Sequence, residues 1–300
     1  MDMKAEGAQF HTKLSTVMVA TDFLESSLLA LDYAAAFARH FHAELITLNV
    51  FEFGPHSQNV EILSHVPCRE RRDAETRLQA FTSGVDKLGV RAKWVLEEGS
   101  VLSGILKGLS LFKVDLLVLG TRGVHRGLNH LFIGSNTEAL MLNSPCPTLT
   151  IGPYVHGGTN LELGFNRILY VSDFSEGSTV AAPFVQSLAR DWAADVEIFQ
   201  VLPESVRNDS SRIHQLASSC CAALESFRPN IVEEWCIPEF QISRISTAEE
   251  VLAQARDTSA LLVLGVQPAT YLGRHLHTSL PYRLLAEAFC PVLTVPGNAE

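Results

Sequence analysis

The sequence lacks the features that mark membrane, secreted and nucleic-acid-binding proteins. It contains no apolar run near the roughly twenty residues that a helix needs to cross a bilayer. Its first residues, MDMKAEGAQFHTK, are polar and mixed, without the apolar core of a secretory signal. The formal net charge is -10, whereas nucleic acids and anionic lipids favour a basic face. We therefore expect a cytoplasmic chain with no membrane or nucleic-acid partner and a flexible tail over residues 1–13.

Patterns that would indicate disulfides, metals or an established catalytic motif are also absent. None of the 6 cysteines stands in a C-x-x-C pair, which fits reduced thiols. The histidines are scattered, and no group of His, Cys and acidic residues has the spacing of a closed metal site. The sequence has no G-x4-G-K-[ST] motif and no legible Ser/His/Asp arrangement. We therefore assign no catalytic residue and no metal held by protein side chains.

What the sequence does contain is an alternation of strand and helix patterns. The apolar fraction is 47% over 300 residues, which is enough for two domains with their own cores. Such alternation predicts right-handed crossovers and a mainly parallel sheet covered on both faces. In the first half, strands are predicted at 14–21, 44–51, 91–96, 115–119 and 147–151, and helices at 26–42, 69–88, 100–112 and 136–142.

The same order of elements recurs after a stretch rich in Gly, Thr and Asn that predicts a linker. LLVLG at 116–120 recurs at 261–265, and CPTLTI at 146–151 recurs as CPVLTV at 290–295. The near-constant separation of these copies indicates an internal duplication. We predict domains at 14–153 and 165–297 with a linker at 154–164. Strands are predicted at 167–172, 196–201, 239–243, 261–265 and 290–295, and helices at 179–194, 210–227 and from 247.

The stretch LLVLGTRGVHRGLNHLFIGSN, residues 116–136, has the pattern of a phosphate-binding loop. An apolar strand ends in a glycine-rich loop that leads into a helix. Glycines let the backbone come close to a ligand, and the free N–H groups of a helix start face an anion. The alternative is that the glycines serve only as turns.

Together these residues resemble the universal stress protein family in its tandem form. The resemblance rests on an aspartate that follows the first strand of each half (VATDF at 19–23, YVSDF at 170–174), VLG with the glycine loop, Gly134-Ser135, and the S-P-C-P-x-L-T-[IV] ending. It implies an α/β fold of two tandem doubly wound domains, Rossmann-like and of the adenine nucleotide alpha hydrolase type. Each domain would have a five-stranded, mainly parallel sheet.

The resemblance also implies an ATP site in the first domain, with Mg²⁺ arriving on the nucleotide. Asp22 would bind the base, although a strand-end acid can also cap the next helix. Val50 would pack on adenine or serve as core, and Ser135 would bind phosphate or act as a plain N-cap. The implied nucleotide-binding residues are Thr21, Asp22, Val50, Leu119, Gly120, Gly123, Gly134, Ser135 and Asn136, with Arg122 and Arg126 as further phosphate contacts.

Two departures from the family pattern G-x2-G-x9-G-[ST] bear on this function. Ten residues separate Gly123 from Gly134, and in the second half Pro268 stands where the second glycine belongs. We expect a stress-response regulatory module that binds nucleotide in its first domain. The second domain would be a pseudo-dimer partner joined through the two last strands, and a homodimer is a further option. The alternatives are a nucleotide-free interaction or dimerisation protein and a slow ATPase.

Overall fold

The computed structural model describes residues 13–52, 66–86, 88–121, 134–156, 164–172, 176–201, 240–242, 248–266 and 280–297. Its first half contains five strands and, between them, four described helices. The strands are β1 Thr16–Ala20, β2 Glu44–Phe51, β3 Ala92–Glu98, β4 Leu116–Gly120 and β5 Thr148–Ile151. The helices are α1 Glu25–His40, α2 Val66–Asp86, α3 Val101–Leu111 and α4 Ser135–Asn143.

The second half repeats this order of strands. They are β6 Arg167–Ser172, β7 Asp195–Gln200, β8 Phe240–Ile242, β9 Ala260–Val266 and β10 Val292–Pro296. Its described helices are α5 Glu176–Trp192, α6 Ala248–Gln254 and α7 Leu280–Glu287.

All ten strands form one sheet in the order β3-β2-β1-β4-β5-β10-β9-β6-β7-β8. Within each half every pairing is parallel. The halves meet where β5 pairs antiparallel with β10, with Leu149 opposite Leu293. These are the two segments that we expected to be able to pair. The predicted α/β fold with two doubly wound, five-stranded parallel sets is confirmed, and the two sets are continuous.

Helices cover both faces of the sheet. On one face, α1 and α5 pack side by side, and a single apolar cluster contains residues of both halves. Trp192 at the end of α5 lies edge-on to Phe37 of α1, with ring centroids 5.5 Å apart, and 4.9 Å from the ring of Phe165. On the opposite face, α3 and α4 cover the first half, and α6 and α7 cover the second. Met141 of α4 belongs to the apolar cluster of the second half, so α4 bridges the two.

Most predicted elements agree with the structure, and the bounds of β2 and β6 are those predicted. Helix α2 differs, because it begins at Val66 and includes Pro67, whereas the predicted helix began at 69. Proline is tolerated in the first turn of a helix, where its missing N–H has no partner to lose. The predicted helix 210–227, most of the tail, Asp173, Pro268 and the loop residues Arg122, Gly123 and Arg126 lie outside the described residues.

No helix in the described part of the chain is long and apolar enough to cross a membrane.

Candidate functional site

The candidate site lies at the carboxyl ends of β1 and β4. The strand order β3-β2-β1-β4-β5 changes direction between these two strands. In open parallel sheets a crevice forms at such a switch point, and ligands bind there. Asp22 follows β1, Val50 lies near the end of β2, and Gly120 ends β4. Parallel strands therefore bring these predicted residues to one edge of the sheet.

Asp22 is exposed, and one of its carboxylate oxygens is held in place. Its Oδ1 accepts hydrogen bonds from the backbone N–H of Leu24 at 3.0 Å and from Ser27 Oγ at 3.1 Å. Leu24 occupies the N-cap position of α1 and supplies no side-chain cap. Asp22 therefore fixes the turn into α1, but it is not the helix cap of the alternative interpretation, because it accepts no N–H from the first turn of α1. Its Oδ2 has no hydrogen-bond partner within the described ranges.

Thr21 is buried, and its side chain faces the protein rather than the crevice. Its Oγ1 accepts from the N–H of Phe23 at 2.9 Å and donates to Ser27 Oγ at 3.0 Å. Its carbonyl oxygen accepts from Nδ2 of buried Asn49 at 2.7 Å. Thr21 thus ties the turn after β1 to β2 and α1. Its side chain serves the geometry of the site.

Phe23 completes this turn in a strained conformation. Its φ is 64°, in the left-handed region that bulky residues rarely adopt. The ring meets Phe81 of α2 edge-on at 6.1 Å, and the Arg77 guanidinium lies 4.3 Å from the ring centroid. Such strain persists only when surrounding contacts hold it, and it is concentrated at functional sites.

Gly120 lies against the first turn of α1. A Cβ at this position would be 2.5 Å from the Ser26 carbonyl oxygen and 3.0 Å from the Ser27 nitrogen. The helix backbone can approach β4 this closely only because Gly120 has no side chain. The preceding Leu119 is buried in the core, so any ligand contact from it would come from its backbone.

Val50 forms a half-buried apolar wall at the end of β2. A Cβ on Gly104 of α3 would lie 2.8 Å from both Val50 methyl groups. The absence of that carbon lets α3 pack against Val50 and fix its position. Part of the side chain belongs to the core and part faces outward, which fits both roles expected for it.

Helix α4 opens with exposed polar residues. Gly134 is its N-cap, with φ of -59° and ψ of 142°, and Ser135 is its first helical residue. Ser135 is therefore not the N-cap of α4, which was one of the two roles expected for it. Ser135 and Asn136 are exposed, and the first amides of a helix have no intrahelical acceptor. Glu138 in the same turn has a buried Oε1 without a hydrogen-bond partner in the described structure.

Sequence reasoning missed Ser27, Asn49 and Phe23. Asn49 is a single amide in the apolar strand ELITLNVF, and such a residue indicates a buried hydrogen-bonding role. Ser27 and Phe23 carry no comparable signal. Among the described side chains, no group of three His, Cys, Asp or Glu residues could hold a metal ion.

Comparisons with known proteins agree with this fold. The universal stress protein family model matches residues 13–152. A universal stress protein of Methanocaldococcus jannaschii is 26% identical over 140 residues, covering 45% of this chain and 80% of the relative. One from Thermus aquaticus is 28% identical over 138 residues, covering 45% of this chain and 97% of the relative.

A solved structure extends the likeness in fold to both halves. The crystal structure of a universal stress protein from Archaeoglobus fulgidus superposes with a TM-score of 0.69 at 17% identity. The superposition covers 94% of this chain and 98% of that chain. The family match thus lies in the half that carries the candidate site, and the fold is shared over nearly the full length. Residues 13–152 thus match the universal stress protein family, and the chain as a whole shares the fold of a universal stress protein.

Proposed function

We propose that the first half binds an adenine nucleotide, ATP, in the crevice between β1 and β4 and that the chain acts as a stress-response regulatory module. The observation that carries this proposal is the position of Asp22. Its carboxylate stands at the switch point, with Oδ1 held by Leu24 and Ser27. A carboxylate only accepts hydrogen bonds, so it suits the amino group of adenine.

The remaining features of the crevice suit the other parts of the nucleotide. Val50 offers an apolar wall for the flat face of the base. The exposed start of α4, at Ser135 and Asn136, supplies N–H groups and the positive end of a helix dipole for phosphates. Mg²⁺ would enter with the triphosphate.

The second half would act as the partner of the first within one chain. Its strand β10 extends the sheet of the first half, and Trp192 packs among aromatic rings of α1. Helix α4 carries Ser135 at one end and Met141, packed in the second-half core, near the other. Ordering of the α4 start by phosphate would therefore reach the second half through a rigid element. This is the regulatory route that we propose.

A nucleotide-free interaction protein is the second candidate, and Glu138 favours it. This acid lies in the first turn of α4, close to where phosphates would bind, and its buried Oε1 has no partner among the described residues. A negative charge there opposes an anionic ligand. The ten-residue spacing between Gly123 and Gly134 acts in the same direction.

Nucleotide content and binding distinguish these functions. The purified protein is denatured, and the supernatant is analysed by anion-exchange chromatography, while ATP with Mg²⁺ is titrated against the intact protein in a thermal-shift assay. We expect up to one adenine nucleotide per chain. Asp22→Asn should weaken ATP binding about tenfold or more, because it replaces the charged acceptor.

Asp173→Asn is the matched control, because Asp173 holds the same place in the second repeat. It should leave ATP binding unchanged. Absence of both co-purified nucleotide and an ATP-induced thermal shift would establish the nucleotide-free alternative. Phosphate release that Asp22→Asn abolishes would instead favour a slow ATPase.

A further inference from the structure

A chain of hydrogen bonds runs through the turn after β1 and ends on Asp22. The N–H of Phe23 donates to Thr21 Oγ1, which donates to Ser27 Oγ, which in turn donates to Asp22 Oδ1. The N–H of Leu24 is a second donor to the same oxygen. Consecutive hydroxyl donors polarise one another, so each link strengthens the next.

Ser27 is the link on which this chain depends. The residue is 3% exposed, so water does not replace its hydrogen bonds. Its hydroxyl has one hydrogen and two acceptors in reach, Asp22 Oδ1 at 3.1 Å and the Leu24 carbonyl oxygen at 2.8 Å. The second contact is the local bond that a serine in a helix makes by default. The first contact is specific to this site.

We infer that Ser27 is a positioning residue that orients Asp22 for recognition of a 6-amino purine. Because Ser27 and Leu24 both donate to Oδ1, the carboxylate cannot rotate freely, and Oδ2 is left for the ligand. Oδ2 then accepts from the amino group of adenine and repels the oxygen that hypoxanthine carries at the same ring position. This inference rests on the proposed ATP site and identifies the residue that makes it base-selective.

The backbone of the turn explains why Leu24 alone cannot hold Asp22. Phe23 sits at φ of 64° and stays there because its N–H is bound by Thr21 and its ring by Phe81 and Arg77. Ser27 connects Thr21 to Asp22 within this strained turn. Without its hydroxyl, Thr21 Oγ1 loses its acceptor and Asp22 loses one of two donors. The carboxylate then samples other rotamers.

The test compares ATP with ITP, the analogue that has oxygen in place of the 6-amino group. Dissociation constants for both nucleotides are measured by calorimetry on the full chain. The wild type should prefer ATP. Ser27→Ala should weaken ATP binding about tenfold, the effect of one hydrogen bond to a charged group, and leave ITP binding nearly unchanged. Thr21→Val, which removes the preceding donor, should lower the ATP preference less.

Two controls separate positioning from a general structural effect. Ser26→Ala alters the neighbouring serine, whose side chain makes no hydrogen bond in the described structure, and should leave both affinities unchanged. In an Asp22→Asn background, Ser27→Ala should cause no further change in the ATP-to-ITP ratio, because Ser27 acts through Asp22.

Each alternative outcome has a distinct meaning. If Ser27→Ala and Thr21→Val lower the Tm but keep the wild-type ratio, Ser27 is only structural and the inference is wrong. The inference is also wrong if Ser27→Ala lowers the ATP-to-ITP ratio as much in the Asp22→Asn background as in the wild type. If the wild type binds ATP and Asp22→Asn weakens it, the proposed function survives that failure. If the wild type binds neither nucleotide, both proposals fall together.

Discussion

The two halves of the chain share their strands and differ where those strands end. LLVLG occurs in both, but it is followed by TRG in the first half and by VQP in the second. The sequence that follows the first strand is DFLESS at 22–27 in the first half and DFSEGS at 173–178 in the second. Proline has no N–H to offer a phosphate. The positions that build the sheet are thus common to both copies, whereas the first half alone keeps the glycine pattern of the loop.

Where the two halves meet, residues at equivalent positions of the two repeats differ in chemical type. With the separation of 151 residues that relates Asp22 to Asp173, His40 corresponds to Asp191 and Phe41 to Trp192. These counterparts meet, since the rings of Phe41 and Trp192 lie 6.1 Å apart and the charge of Asp191 acts on His40. The first half contributes a histidine and the second half an aspartate at the same repeat position. The two copies have therefore diverged into a complementary acid and base.

The largest loss of stability is expected from Gly120→Ala at the candidate site of the first half. The new Cβ would lie 2.5 Å from the Ser26 carbonyl oxygen, and backbone on both sides would have to move. We expect the free energy of unfolding to fall by about 3 kcal/mol or more, at the upper end of overpacking effects. Urea denaturation, monitored by circular dichroism, measures this change in the free energy of unfolding.

Gly84→Ala is the control for that substitution. Gly84 lies within α2, and a Cβ there would meet nothing within 4 Å. Alanine should therefore stabilise the helix by about 0.5–1 kcal/mol. A neutral Gly120→Ala would mean that α1 does not pack on β4 as described.

The second-largest loss of stability is expected at the aromatic contact between the two halves. Trp192→Ala removes a half-buried ring that contacts Phe37, Phe41 and Phe165. We expect a loss of about 2–3 kcal/mol, below the value for a fully buried tryptophan. Its counterpart substitution Phe41→Ala should cost less, since Phe41 contacts fewer rings.

Trp192→Phe sharpens this prediction. The Trp192 Nε1 is buried without a hydrogen-bond partner in the described chain, so phenylalanine removes an unsatisfied donor along with some volume. It should recover most of the stability that alanine loses. Equal losses for alanine and phenylalanine would contradict the described packing.

The third prediction concerns the two cysteines that the repeats share. Cys146 and Cys290 are free and buried, and burial raises the pKa of Cys146 to about 11 and that of Cys290 to about 12. At about pH 8 their thiolate fractions are about a hundredfold or more below that of an exposed cysteine with a pKa near 8.5. Iodoacetamide should modify neither in the native protein and both in denaturant, as read by peptide mass spectrometry. Rapid native modification of one alone would show that the halves differ in core packing.

The sequence predicts the parts of this molecule that depend on local pattern. The bounds of β2 and β6 follow from β-rich runs between turn signals. The pairing of β5 with β10 was expected from the family resemblance together with two strongly β-prone segments. The polar network of the site could not be predicted in this way. Ser27 meets Asp22 only after Phe23 adopts a left-handed φ, which no residue preference favours. Gly120 was expected to admit a ligand, and its packing against α1 becomes visible only when the two elements are placed together.

The smallest effect is expected from the titration of His40. Burial lowers the pKa of His40 from its ordinary value, Asp191 opposes this by raising it, and His42 lowers it further. The folded state therefore favours the neutral ring. The contribution of His40 to the free energy of unfolding is fully present above the pKa of about 6.5 in the unfolded chain. It is lost as the pH falls through the lower pKa of the folded state. Because His40 is exposed, solvent screening limits the loss to a few tenths of a kcal/mol.

Two variants at this contact should change the pH dependence in opposite directions. His40→Gln removes the titrating ring, so the loss of stability between about pH 7.5 and pH 5 should shrink. Asp191→Asn removes the charge that favours protonated His40, so its pKa should fall further and the loss should grow. Urea midpoints of the three proteins at the two pH values measure this. A smaller loss in Asp191→Asn than in the wild type would mean that the acid of the second half does not act on the histidine of the first.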